Sequence, residues 1–139
     1  MTDTKAILKL RARDMMTVED LFIREGYVLR FTDGQTAFSD RTFAQFFREE
    51  MNINIDDPKW SVEGSSKGKR LRYFLRAVDA AVVIKTLKAL WDYRELYRQR
   101  NRISEDIENA RDRLEEVLAH LGGTRQKEFT TPTNKDSFK

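Results

Sequence analysis

The sequence predicts a mainly α protein: a compact four-helix domain with one short β element, followed by a long charged helix and a disordered tail. Three observations lead there. Of 139 residues, 40% are hydrophobic, enough for one buried core, and only six Gly and two Pro interrupt the chain. Apolar residues recur at three- and four-residue intervals over most of the length. A single segment, Tyr27-Val28-Leu29-Arg30-Phe31, has the β-branched and aromatic content of a strand.

The elements follow in chain order. Residues 1–15 read as an arm, mixed in charge with few large apolar side chains. Thr17 is placed to cap a first helix carrying Glu19 and Asp20 in its positive first turn, with Val18, Leu21 and Phe22 inward and Gly26 as its stop. The strand then runs into Asp33-Gly34, a turn dipeptide. Ser39 or Asp40 caps a second helix whose Phe43, Phe46, Phe47 and Met51 share a face. Asn52 to Asp56 alternates polar and apolar, which predicts a short extended piece before Asp57-Pro58. Gly64-Ser65-Ser66 opens a third helix with Leu71, Phe74, Leu75 and Val78 on one side and Lys69, Arg72, Tyr73 and Arg76 on the other. Asp79 caps a fourth, with Val83, Ile84, Leu87, Leu90 and Trp91 inward. Residues 16–93 are thus read as a helical recognition module.

Residues 94–123 are richer in charge, and Ile103, Ile107, Ala110, Leu114, Val117 and Leu121 form a heptad seam. Counting backward puts Ala89, Tyr93, Leu96 and Arg100 in the same register. Such a seam can pair with another chain or fold back as a hairpin. Arg100 weakens a dimer and Asn101 to Ser104 reads as a break, so the hairpin is slightly preferred. Gly122-Gly123 ends the seam, and the polar, aperiodic stretch 124–139 predicts a disordered tail.

Composition also bounds the chemistry. The absence of Cys excludes disulfides, thiol nucleophiles and Cys-based zinc sites, and a lone His120 excludes a site built on several His ligands. No metal or cofactor is expected. The longest apolar run, Ala80 to Ile84, is far too short to span a bilayer, and a cytoplasmic protein without membrane contact is expected. The net charge of +3 is unevenly placed: residues 65–76 alone carry +5, the remainder −2.

That basic run supplies the leading site. Lys67, Lys69, Arg70, Arg72, Tyr73 and Arg76 are predicted to contact DNA or RNA, helped by backbone N–H groups at the start of the third helix. A continuous positive surface joining Lys69, Arg72 and Arg76 to Arg94, Arg98 and Arg102 favours this reading, and interleaved acids oppose it. Gly64, Gly68 and Lys69 do not make a phosphate-binding nucleotide loop, because three residues separate the glycines and Arg70 follows the lysine. Asn52, Asn54, Asp56 and Glu63 have calcium-loop spacing, but Asp57 stands where the loop needs Gly. Arg113 and His120 match the loose Arg–His spacing of a class of helical bacterial ribonucleases, a third and weaker reading.

The order Gly26-Tyr27-Val28-Leu29-Arg30-Phe31, Thr42-Phe43-Ala44-Gln45-Phe46-Phe47, Ile53-Asn54-Ile55 and Gly64-Ser65-Ser66-Lys67-Gly68-Lys69-Arg70-Leu71-Arg72-Tyr73-Phe74 resembles the N-terminal domain of AbiJ-type bacterial abortive-infection proteins. The resemblance covers residues 9–93 and implies a helical sensor module acting in phage defence, joined in longer chains to an effector domain. It assigns no catalytic residues. The combined expectation is a non-catalytic module that binds nucleic acid through the basic helix, or alternatively an adaptor that uses the heptad helix to form a homodimer or hold an effector.

Overall fold

The computed structural model describes residues 9–123; the expected tail at 124–139 and the first eight residues of the expected arm lie outside them. The mainly α architecture is as expected. Helices α1 (Ala12–Phe22), α2 (Asp40–Met51), α3 (Lys67–Ala77), α4 (Ala80–Asn101) and α5 (Ala110–Leu118) surround one core, with a hairpin of β1 (Ile23–Arg24) and β2 (Tyr27–Val28) between α1 and α2.

Helix α1 starts earlier than Thr17. The Asp14 carboxylate accepts the Arg11 backbone N–H at 2.9 Å and two guanidinium hydrogen bonds at 3.0 Å, so an acid three residues into the helix closes a reciprocal cap around Arg11. Residues 12–15 therefore belong to the domain, with Asp14 only 2% exposed. Burial alone raises the Asp14 carboxyl, but the Arg11 hydrogen bonds and the Arg11 and His120 charges hold it below the usual carboxylate range.

Gly26 is not the helix stop. Helix α1 ends at Phe22, and Glu25 (φ 54°) with Gly26 (φ 84°) forms the two-residue left-handed turn that suits a tight hairpin. Ile23 pairs with Val28 and Arg24 with Tyr27. The strand stops at Val28 rather than Phe31, because Leu29 turns left-handed (φ 58°) and is buried. Its N–H donates to the Phe22 carbonyl, and its carbonyl accepts from Ala37. Only the Arg30–Thr36 bridge continues beyond it.

Ser39 caps α2 by accepting the Thr42 N–H, while the Thr42 hydroxyl accepts the Ser39 N–H. Phe43, Phe46 and Phe47 then pack with Phe38, Phe74 and Trp60 in an aromatic cluster, with centroids 4.9–5.5 Å apart in edge or tilted contacts. The expected extended piece at 52–56 is a turn: Asn52 is left-handed, and the Asn54 carboxamide oxygen accepts the Asp56 N–H. A 3₁₀ turn at Pro58–Trp60 places the indole in the core.

Ser66 caps α3 and Asp79 caps α4. Gly68 allows the start of α3 to touch the hairpin: its N–H donates to the Gly26 carbonyl at 2.9 Å, and an added Cβ would meet Ile23 Cγ2 at 2.9 Å.

Helix α4 runs unbroken across residues 93 and 94, where the composition changes. It ends at Asn101 with Arg102 left-handed (φ 54°), so the expected long charged helix is divided. A loop returns the chain, and Asn109 precedes α5. This is the hairpin form of the seam. Ala110, Leu114, Val117 and Leu121 are buried in the common core, whereas Ile103 and Ile107 lie half-buried in the loop. The α5 helix packs on α1.

The reversal is fastened by Arg94, 2% exposed, which donates to Glu105 at 2.7 and 2.8 Å and to Glu95 at 2.7 Å while stacking over Trp91. Burial by itself raises the Glu105 carboxyl, but the Arg94 hydrogen bonds and charge bring it below its ordinary value.

Gly68→Ala is expected to lose about 1–3 kcal/mol in urea denaturation, the cost of forcing a side chain into a filled space. Arg94→Met is expected to lose about 3 kcal/mol at pH 7, since Glu105 loses both of its guanidinium hydrogen bonds and Glu95 keeps only Arg98. The depressed Asp14 and Glu105 contribute stability above their unfolded pKa values that is lost as pH falls through the folded ones. In Arg94→Met the Glu105 share shrinks, so its stability falls less steeply with acid than that of the unaltered chain.

Candidate functional site

The six predicted nucleic-acid contacts all lie on α3, but their charges are largely committed within the chain. Lys67 Nζ stands 2.8 Å from Asp40. Arg70 is buried and donates to the Ser65 and Ile55 carbonyls and to Asp56, so it ties the 3₁₀ region to α3. Arg72 donates to Glu19 of α1 at 2.9 Å. Arg76 holds both oxygens of Glu63. Tyr73 is half-buried with its ring edge-on to Trp60. Lys69 alone is exposed with no carboxylate partner among the described residues, its stem lying against Gly64.

Two N–H groups at the start of α3 are also engaged. Gly68 donates to Gly26 and Lys69 to the Ser66 hydroxyl. The expected phosphate cradle is thus used to join the helix to the hairpin and to cap it.

Nor do the basic segments merge into one positive surface. Arg94 is buried between Glu95 and Glu105, and Arg98 is bound to Glu95 at 2.6 Å. Residues 9–123 contain 21 Lys and Arg against 20 Asp and Glu, so two of the three net positive charges belong to residues 124–139. Interleaved acids are the arrangement that opposes phosphate-dominated binding.

The remaining sequence candidates also have internal roles. Arg113 donates to Asp20 at 2.7 Å and to the Thr17 hydroxyl at 3.4 Å. His120 Nε2 lies 3.2 Å from the Lys9 carbonyl and 3.8 Å from Asp14. Both residues of the proposed ribonuclease pair therefore brace α5 against α1 and the segment before it. Asp56 and Glu63, two positions of the calcium-like spacing, are the partners of Arg70 and Arg76. The seam residues Ala110, Leu114, Val117 and Leu121 are spent on the core and offer no face to a second chain.

One concavity lies along the C-terminal half of α4. Ala37, Tyr93, Leu96, Tyr97, Arg100 and Asn101 line an open groove of about 450 Å³. Its aromatic side is fixed from behind: Tyr93 stacks on Phe38 at 4.5 Å and Tyr97 on Phe31 at 5.7 Å with rings 3° from parallel. Leu96 is 57% exposed, one of few large apolar side chains so placed. Arg100 has no ion pair among the described residues, unlike the other two arginines of α4. The backward extension of the heptad register contains Tyr93, Leu96 and Arg100, so the periodicity marked this stripe. What it could not supply was Ala37, Phe31 and Phe38 from the loop that converts the stripe into a groove.

A smaller feature lies at the hairpin. Tyr27 is 41% exposed, with the Arg30 guanidinium 4.6 Å from the ring centroid and Lys67 Nζ 5.9 Å away. Arg24 is its cross-strand neighbour.

A scan against protein-family models, a search of curated proteins and a search of solved structures each find no match to the chain. The resemblance over residues 9–93 therefore rests on the quoted residues alone. Among the described residues, no helix is long and apolar enough to cross a membrane.

If the carboxylates, and not the count of cations, govern the electrostatics of α3, neutralising them strengthens anion binding. The triple variant Glu19→Gln, Asp40→Asn, Glu63→Gln is expected to elute from heparin at clearly higher salt than the unaltered chain, whereas Lys69→Gln shifts elution only slightly. Equal elution of the triple variant and the unaltered chain contradicts this account of the pairs.

Proposed function

We propose that this chain is a recognition module that binds a segment of a protein partner in the α4 groove. One observation carries the reading: an exposed leucine and an uncompensated arginine sit beside two tyrosines already locked in place by stacking. A preformed slot that mixes aromatic and aliphatic side chains with a few polar groups is a common form of a peptide or small-ligand site. Its rigidity lowers the ordering cost of binding. The resemblance to AbiJ-type N-terminal domains supplies a context, a bacterial phage-defence system in which such a module would hold an effector. Within this reading the α3 cations serve cohesion, joining α1, α2 and the 3₁₀ region.

A second reading, weak binding of single-stranded nucleic acid, draws on the Tyr27, Arg30 and Lys67 group. An exposed ring between cations has the chemistry of a base-stacking platform. With near-equal numbers of acids and bases around it, this binding is expected only at low salt.

Selection of random peptides on the full chain, with affinities then measured by calorimetry, tests the first reading. Selected peptides are expected to lose at least about tenfold in affinity for Leu96→Asp, a loss on the scale of one buried apolar contact. Unchanged affinity for Leu96→Asp counts against the groove. Titration with single-stranded and duplex DNA and RNA at 50 and 200 mM salt addresses the second reading, and tight binding at the higher salt overturns the ranking of the two.

A further inference from the structure

We infer that the occupant of the α4 groove is an acidic segment of a partner protein, with a carboxylate adjacent to the apolar side chain that covers Leu96. The inference rests on the reading that the groove is the recognition site and adds the chemistry of what fills it. A groove of about 450 Å³ accepts one or two side chains of an extended segment rather than a folded surface.

Charge decides which segment. Helix α4 holds three arginines. Arg94 and Arg98 are bound to Glu95 and Glu105, while Arg100, on the groove wall, has no counter-ion among the described residues. A guanidinium beside an apolar side chain can take a carboxylate with two parallel hydrogen bonds. Other polar groups there suit a peptide backbone. The Asn101 carboxamide spends its nitrogen on the Tyr97 carbonyl at 2.9 Å, which leaves its oxygen to accept an N–H.

The other occupants fit less well. A second copy docked groove to groove offers Arg100 no carboxylate, since none lines the groove. Nucleic acid meets one cation on the groove wall where it needs several.

The test uses the full chain, isotopically labelled, and two synthetic probes: acetyl-Asp-Leu-Phe-Asp amide and its acetyl-Asn-Leu-Phe-Asn counterpart. The acidic probe is expected to shift the amide signals of Leu96, Tyr97 and Asn101 saturably, and to bind about 3- to 10-fold more tightly than the amide probe, the range for one charge-assisted pair. Arg100→Gln, an exposed position, is expected to remove that difference and leave the amide probe unaffected, while Arg102→Gln changes neither. Equal binding of both probes at the groove overturns the acidic preference but leaves the groove as a recognition site. Absence of shifts at Leu96 and Tyr97 with either probe overturns the inference, and the peptide selection then decides the fate of the site itself. Shifts confined to Lys69 or Tyr27, or shifts at the groove that grow with protein concentration alone, overturn it as well.

Discussion

The fold turns on a charge placed where a hydrophobic residue would ordinarily stand. Arg94 faces inward from the middle of α4, and an unpaired guanidinium at that depth would cost several kcal/mol. Glu95 supplies one carboxylate from the same helix. The other comes from Glu105, which can reach Arg94 only if the chain reverses after Asn101. The ion pair thus makes the turn a condition of burying the arginine. With the chain reversed, Ala110, Leu114, Val117 and Leu121 face α1 and α4 instead of solvent, and Arg113 and His120 meet Asp20, Asp14 and Lys9. The same reversal leaves the end of α4 uncovered on its Leu96 side, where the groove lies.

Charge works in a similar way at the other end of the molecule. Lys67, Arg70, Arg72 and Arg76 radiate from α3 to acids on four different segments. Exposed pairs of this kind contribute little individually. Their larger effect is on what the surface can attract, because each acid cancels a cation that would otherwise draw phosphate. Arg70 is the exception in depth, since it also satisfies two backbone carbonyls that the 3₁₀ region and the α3 entry would leave without partners.

Local patterns were legible. Ser39, Ser66 and Asp79 each accept an N–H from the first turn of the helix they precede, and the phenylalanines of α2 face inward as their spacing requires. The break after Asn101 and the inward face of Ala110, Leu114, Val117 and Leu121 were readable for the same reason, whereas Ile103 and Ile107 of the same seam fall in the loop. The α1 start was harder, because Arg11 is not an ordinary capping residue and Asp14 is needed to complete the cap. The partners of the α3 cations were not legible, and distance along the chain explains it. Arg72 finds its acid 53 residues away, and Arg76 finds its own 13 away, so a window that shows only cations looks positive. The groove has the same character: Leu96 and Arg100 were in view, but the loop that walls them in is brought there by tertiary packing of Phe31 and Phe38.

The central claim is that recognition belongs to α4 and cohesion to α3. Site-specific photo-crosslinking in producing cells tests it most directly, with a benzophenone side chain placed in one variant at Leu96 and in another at Lys69, the two exposed positions that represent the two surfaces. The account predicts a discrete protein adduct from position 96 that is lost when Arg100 is also changed to Gln, with no comparable adduct from position 69. Nucleic-acid adducts from position 69 with none from position 96 would contradict it.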